Sequence, residues 1–580
     1  MFKTRQRRKT IFNIGVLALV LVFFVTACAP ATPEPVDTPE PQTIIITELV
    51  EGEIVERTVV VPVEVTPEAP PGRQTIIVAL ARTPLTLDPA DYSHRETENV
   101  IRNMFDGLVT RDTRSGVHLE IAESMEWLDE TTLEVKLRQG VMFHNGEELT
   151  ADDVIYTYER ILTDDAIEYP EPHSSPRRGF LGPMDSLEKI DDYTVLINFR
   201  SPWPVWDQLL VHNQIIPMDY MEEVGAEGFL NNPVGTGPFK FVSATAGYDE
   251  IVLQRFDDYW GGAPTLDRDG PACVEGAVFR TIPEASTRVA ALLAGEVDII
   301  AEVPPELVRL LEQTPGVEVY TAPSTRPIWM QMNVTLAPFD DVRVRQAMNY
   351  AIDVDLLIET LYNGRGQPLA GVLSPLNSMA HPDLEPYPYD PERALELLAD
   401  AGWEDTNDDG MLDRNGVPMA FTLDSPPEMA ALAEALAGML RELGIDVSVR
   451  VWEYGVVLPL LRAGERQAYV SDWGDSTFTP PGHIEAKWHT YTEGVAYWGR
   501  GNFSSYSNER VDELIQAGET EADLETRQAM YYEVQEILYE EAPAAFLLLP
   551  DVFEAASDRV QNWEPASDSR INLHNVCLGP

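Results

Sequence analysis

Apolar residues recur along this chain at two spacings, and the changes from one to the other mark out its elements. Ile76-Ile77-Val78-Ala79-Leu80 is a continuous apolar run of strand length and predicts a buried strand. Val154, Tyr158 and Ile161 repeat at helical spacing behind Thr150, a capping residue with Asp153 three positions on. Asp390-Pro391 sets a cap and then a proline in the first turn, and Gly402 stops that helix. Asp341 is placed to cap a helix whose buried stripe is Val344, Met348, Ile352 and Leu356. Leu432, Leu436 and Leu440 lead to Gly444, and the alternation Ile445-Asp446-Val447-Ser448-Val449 then predicts a half-buried strand. Helices and strands are intermixed with no sustained internal repeat, which implies α/β layers.

The pattern is different before residue 74. Pro30, Pro33, Pro35, Pro39 and Pro41, then Pro67, Pro70 and Pro71, mark residues 28–73 as a stalk, since proline at this density blocks helices and sheet ladders. Within it, Thr43–Ile46 and Val59–Val61 have strand propensity, and their pairing is left open. Ahead of the stalk, Lys3, Arg5, Arg7, Arg8 and Lys9 precede the apolar run Ile11–Ala27. That run is near the lower length limit for spanning a bilayer, so one reading is an uncleaved helix. Val25-Thr26-Ala27-Cys28, however, is similar to the lipobox of bacterial lipoproteins. That similarity implies a signal peptide over 1–27 and a diacylglycerol on Cys28, holding the protein on the outer face of the cell membrane or in the periplasm. Charge supports anchoring by acyl chains. Lys and Arg total 41 against 96 Asp and Glu, a net charge of −55, and residues 1–27 contain only cations. So acidic a chain is repelled by nucleic acid and by anionic headgroups, leaving lipid as the hold on the membrane.

Catalytic motifs are absent from the sequence: there is no HExxH, no GxSxG and no Walker A loop. His144-Asn145-Gly146 reads as a turn. The segment Asp405–Asp413 resembles the first half of an EF-hand loop, but its twelfth position is Gly416 where the cage needs Glu. Asp-Gly and Asn-Gly are also ordinary turn formers, so no metal and no cofactor is assigned. Cys273 and Cys577 are either a disulfide or two buried thiols, and spacing does not decide between them.

Taken together, several segments resemble the dipeptide- and oligopeptide-binding proteins, the family 5 extracellular solute-binding proteins of ABC importers. They are Thr86-Leu87-Asp88-Pro89, then Gly140–Gly146 continuing to Thr150–Val154, Pro233–Phe239 and Tyr259-Trp260-Gly261-Gly262. Ala291–Asp298, Phe339–Ala347, Ala351-Ile352-Asp353, Asn502–Asp512 and Glu541-Ala542-Pro543 follow in order, so the likeness covers nearly everything after the stalk. Each segment also has a structural reading. Gly235 and Gly237 would permit backbone angles closed to other residues, and Asp88 would stabilise its own turn.

The resemblance implies a type II periplasmic-binding-protein-like α/β fold, with two lobes closing about a hinge on the ligand between them. Carried over, lobe I takes 74–322 and the returning tail 547–580, with an extra subdomain over 110–232, and lobe II takes 323–546. Both Cys273 and Cys577 then fall in lobe I, and in an oxidising compartment they are expected to form a disulfide. The implied function is solute capture by a monomer without catalysis, with peptides as ligand and permease subunits as partners. Nickel complexes, oligosaccharides, opines and glutathione are alternative solutes, and a tethered hydrolase is the rival from another class. In peptide-binding relatives a carboxylate that receives the peptide ammonium follows a Trp near the end of a lobe II strand. Here Tyr469-Val470-Ser471 runs into Trp473 and Asp475, although Asp472 stands where the family usually has Gly and the acid comes one residue early. Trp473 and Tyr454 are the candidate cleft aromatics, and Tyr92 and Ser93 the candidates from lobe I.

Overall fold

The computed structural model describes residues 42–50, 53–61, 74–92, 94–266, 269–475, 477–492 and 498–579. Residues 1–27, Cys28 and Ser93 lie outside that set. Among the described residues no helix is long and apolar enough to cross a membrane.

Twelve strands share one sheet, and the strand Ala544–Ser557 ties its two halves together. Residues 544–548 pair with Ile328–Met332, whereas 551–557 pair with Val317–Pro323 and 555–556 with Ile299–Ile300. On one side the order runs outward through Thr75–Leu80, Gly276–Thr281, Glu250–Arg255 and Phe239–Ala244; on the other through Ala468–Asp472, Ala420–Ser425 and Asp446–Val451. Each half has parallel neighbours inside it: Thr75–Leu80 beside Gly276–Thr281, and Ala420–Ser425 beside Ala468–Asp472. Such strands are covered on both faces, which is why Ile76–Leu80 is almost wholly apolar. Separate hydrophobic cores follow, one around Ile76, Val78, Phe239 and Phe279, another around Met330, Met348, Leu423 and Leu436.

A third core belongs to an antiparallel sheet of four strands, Ala122–Trp127, Thr132–Leu137, Thr194–Phe199 and Met184–Asp191. The helix Ala151–Leu162 packs on it through Val154, Tyr158 and Ile161. Its start is fixed twice over by one side chain. Asp153 accepts from Thr150 N at 2.8 Å and from Met218 N at 2.9 Å, so the cap also pins a remote loop.

The other helices expected from the sequence form at Pro391–Asp400, where Asp390 accepts from Arg393 N at 2.9 Å, and at Ala430–Glu442. One stripe is corrected. The helix behind Asp341 covers Val342–Ala351 and stops at Ile352, whose backbone is extended. Asp353 then caps a second helix, Val354–Leu361, through Leu356 N. The new cap resets the phase, and Leu356 is 48 % exposed rather than buried. In the stalk, Gln42–Val50 and Glu53–Val61 pair antiparallel with each other, placing Ile44 opposite Val59, and join no other sheet. After Ser557 the chain runs back over the first half. Val560–Gln561 pairs with Cys577–Leu578, and Cys577 is bonded to Cys273 with Cα atoms 5.1 Å apart.

Candidate ligand cleft

The two halves of the molecule face each other where the loop after Ala468–Asp472 meets Arg111. Arg111 Nη2 lies 3.5 Å from the Thr477 carbonyl, and its guanidinium sits 4.9 Å from the Phe478 ring centre. Asp475 organises that loop. It is 2 % exposed; Oδ2 accepts from Asn377 Nδ2 at 2.7 Å, and Oδ1 accepts from Phe478 N at 2.8 Å and Thr477 Oγ1 at 3.3 Å. Phe478 holds a φ of +56°, a left-handed conformation stabilised by its hydrogen bond to the carboxylate. Asp475 therefore stands beside the facing half, with Thr477 between it and Arg111.

Trp473 is partly buried and donates from Nε1 to the Gly482 carbonyl at 2.9 Å. Behind it lies Lys487, fully buried, its ammonium 4.9–5.5 Å from the ring centres of Phe503, Trp473 and Trp329 and 3.4 Å from Ser471 Oγ. Burial brings its pKa down to about 7. Asp472 is paired with Arg326 at 2.7 Å at the rim. Tyr454 opens the helix Tyr454–Arg462, is 49 % exposed, and lies within the fields of Asp472 and Arg500. Asp475, Trp473 and Tyr454 thus belong to one half. Tyr92 belongs to the other and is closed in, its hydroxyl donating to Gln214 Oε1 at 3.2 Å and its ring 4.0 Å from the Arg177 guanidinium.

Behind Arg111 lies a cluster of charges that local sequence reading missed. Glu98 pairs with Arg95 at 2.6 Å and Arg102 at 2.8 Å. Asp568 pairs with Arg570 at 2.6 Å, Arg111 at 3.7 Å and Arg95 at 3.8 Å. Arg177 has its Nη2 2.7 Å from the His212 carbonyl and its guanidinium over Tyr92 and Phe180. Burial opposes ionisation of both acids, yet the arginines hold Glu98 and Asp568 well below the carboxylate range. Burial and Arg570 bring Arg111 down to about 9, and burial brings His212 down to about 3. Glu554, from the strand joining the two halves, has both oxygens buried with no hydrogen-bond donor among the described residues. Burial, and then the charges of Asp568 and Glu302, push it up to about 8, so it is protonated at neutral pH. The tail is sewn in place by two asparagines: Ile571 N donates to Asn99 Oδ1, and Asn103 bonds both Ile571 O and Leu573 N. No motif flags these residues, because residues 95–111, 177 and 554–570 meet only in the fold.

The conspicuous sequence motifs are structural. His144 is partly buried, shares hydrogen bonds with Gly237 O at 2.9 Å and Gly235 N at 3.2 Å, and desolvation lowers its pKa to about 4. Gly235 and Gly237 are needed for close approach and not for a left-handed backbone, since an added Cβ would fall 2.2 Å and 2.8 Å from Met104 O. Asp88 holds its turn through Ala90 N and forms a two-pronged pair with Arg160 at 2.9 and 2.5 Å. In the Asp405–Asp413 loop, Asp405 and Asp413 turn inward onto backbone N–H groups of Asp409, Gly410, Thr406 and Gly416. No group of three or more His, Cys, Asp or Glu is placed to hold a metal among the described residues.

This chain belongs to the bacterial extracellular solute-binding proteins, family 5, whose middle-region profile matches residues 116–494. It is 28 % identical over 510 residues to the oligopeptide-binding protein AppA of Bacillus subtilis, covering 85 % of this chain and 89 % of that one. It is 28 % identical over 524 residues to the glutathione-binding protein GsiB of Pectobacterium atrosepticum, covering 87 % and 94 %. The periplasmic binding protein DppA of Helicobacter pylori, solved with the peptide STSA, superposes with a TM-score of 0.70 at 25 % identity, covering 87 % and 98 %. The fold is accordingly the two-lobed type II periplasmic-binding-protein architecture.

Proposed function

We propose that this family 5 solute-binding protein captures di- or oligopeptides between its lobes, without turning them over, and delivers them to the permease of an ABC importer. The observation that supports a peptide is the placement of Asp475. Closing a cleft over an ammonium strips its water and is costly unless a carboxylate replaces it. A carboxylate offers about four acceptor positions; Asn377, Thr477 and Phe478 use three of those on Asp475, leaving one on the Oδ2 side. The peptide ammonium would donate there, with Trp473 alongside and Tyr454 at the rim. Tyr92 and Ser93, its neighbour in sequence, would line the lobe I side. The lobes follow the boundaries 74–322 with 547–580 and 323–546, and Cys28 carries the lipid that holds the protein at the membrane.

Calorimetry with a free-amine tripeptide and its N-acetyl derivative tests the reading. Asp475→Asn should weaken the free-amine peptide by about 2–5 kcal/mol, the scale of breaking a buried charge pair, and leave the acetylated peptide nearly unchanged. Equal losses for both would mean that Asp475 only shapes its loop. The glutathione-binding relative favours a second reading, a small modified peptide, which competition between glutathione and the tripeptide would separate.

A further inference from the structure

We propose that Arg111 is a closure clamp: its contact with Thr477 and Phe478 exists only when the two halves have closed on the ligand, which makes it a positioning residue for capture. This deepens the peptide-capture reading and rests on it. The contact crosses from one half to the other. Arg111 Nη2 lies 3.5 Å from the Thr477 carbonyl, and the guanidinium lies 4.9 Å from the Phe478 ring centre.

Each side of that contact is fixed within its own half. Arg111 is fully buried; its Nη2 is 2.8 Å from the Gln208 carbonyl and 3.0 Å from Gln208 Oε1, and its Nη1 is 3.7 Å from Asp568. The charge of Asp207 acts on it as well. Across the cleft, Thr477 Oγ1 lies 3.3 Å from Asp475 Oδ1 and 3.1 Å from each of the Thr479 and Pro481 carbonyls. Phe478 N donates to Asp475 Oδ1 at 2.8 Å, and the Phe478 carbonyl accepts from Ser378 N at 2.9 Å.

Neither side can follow the other when the halves part. Arg111 would have to leave Gln208, and Phe478 would have to leave Asp475 and Ser378. Opening about the strand Ala544–Ser557 therefore breaks the clamp and leaves the bonds on either side of it intact. A contact present in the closed state alone favours that state, and a guanidinium over a ring gains strength when both are desolvated. Thr477 and Phe478 are held by Asp475, the residue that would receive the ammonium, so the clamp grips the loop that carries the ligand. Arg111 itself need not touch the peptide.

Stopped-flow measurement of free-amine tripeptide association and dissociation, on the full mature protein, tests the inference. Phe478→Leu removes the ring and leaves Arg111 with its partners; Arg111→Gln removes the guanidinium. Each should speed dissociation by about three- to thirtyfold, the range for a cation over a ring. Association should stay within about twofold, because the clamp forms after encounter. The double variant should dissociate no faster than the faster single variant. An arginine that served its own half alone would act equally with Leu at 478, so factors that multiply would overturn the inference. Unchanged dissociation in Phe478→Leu would also overturn it, with peptide capture left standing. No tripeptide binding by the wild type would overturn both. Should Arg111→Gln fail to fold, Arg111→Lys takes its place in the cycle, since it keeps the charge beside Asp568 and loses the planar fork.

Discussion

Replacing Asn103 should release the C-terminal tail from the first half of the molecule by a calculable amount. Asn103 is buried at the end of the helix Arg95–Ile101, donating to Ile571 O at 2.8 Å and accepting from Leu573 N at 2.9 Å. Asn103→Leu keeps the branching at Cγ but removes both partners, leaving a backbone carbonyl and a backbone N–H buried and unbonded. At about 1–3 kcal/mol for each unsatisfied group, docking of residues 571–573 should weaken by about 2–6 kcal/mol. The disulfide at Cys577 keeps the segment tethered, so the loss is local and whole-protein melting is the wrong readout. Native-state hydrogen exchange at Leu573 is the right one, and its protection should fall by about 30-fold or more, since 1.4 kcal/mol is tenfold. Asn103→Ala, which leaves room for water to bond the two groups, should lose less than the Leu variant. A change below about 0.5 kcal/mol in the Leu variant, or a larger loss in the Ala variant, would refute the reasoning.

Three other substitutions address separate parts of the argument. Gly237→Ala should abolish soluble expression or lower Tm sharply, because its Cβ would lie 2.5 Å from the Met104 carbonyl carbon and 2.7 Å from Phe105 N, neither able to move aside; unchanged melting would be contrary evidence. Glu554 is protonated in the fold up to about pH 8, whereas in the unfolded chain it ionises near 4.5. Between those values the native state holds the extra proton, so its contribution falls as pH rises. Glu554→Gln should therefore raise Tm at pH 8 much more than at pH 5, and an equal shift at both would contradict the assignment. Alkylation of denatured, unreduced protein should modify neither Cys273 nor Cys577, and prior reduction should expose both. Because the bond closes a sequence separation of 304 residues, reduction should also lower stability, by at most about 6 kcal/mol in the loop-entropy model.

What the sequence determined by itself is what neighbouring residues decide. Thr150 with Asp153 and Asp390 with Pro391 start helices because cap and first turn are contiguous in the chain. Ile76–Leu80 forms a strand because its run of apolar residues suits burial on both faces. The ordered segments from Thr86 to Pro543 carried the family resemblance, and with it the two-lobed fold. Local reading went wrong where two local rules competed: the apolar stripe from Val344 pointed on to Leu356, but Asp353 began a new helix and turned that residue outward. Gly235 and Gly237 were legible as special, but the reason is the Met104 backbone against them, more than 130 residues away in sequence. Only the tertiary structure brought Glu98, Arg111, Arg177 and Arg570 into one buried cluster and set Asp475 across from it. Each of those side chains is unremarkable among its neighbours in sequence. Their shifted pKa values arise from low dielectric and mutual distance, and both exist only once the tail has folded back over the first half of the sheet.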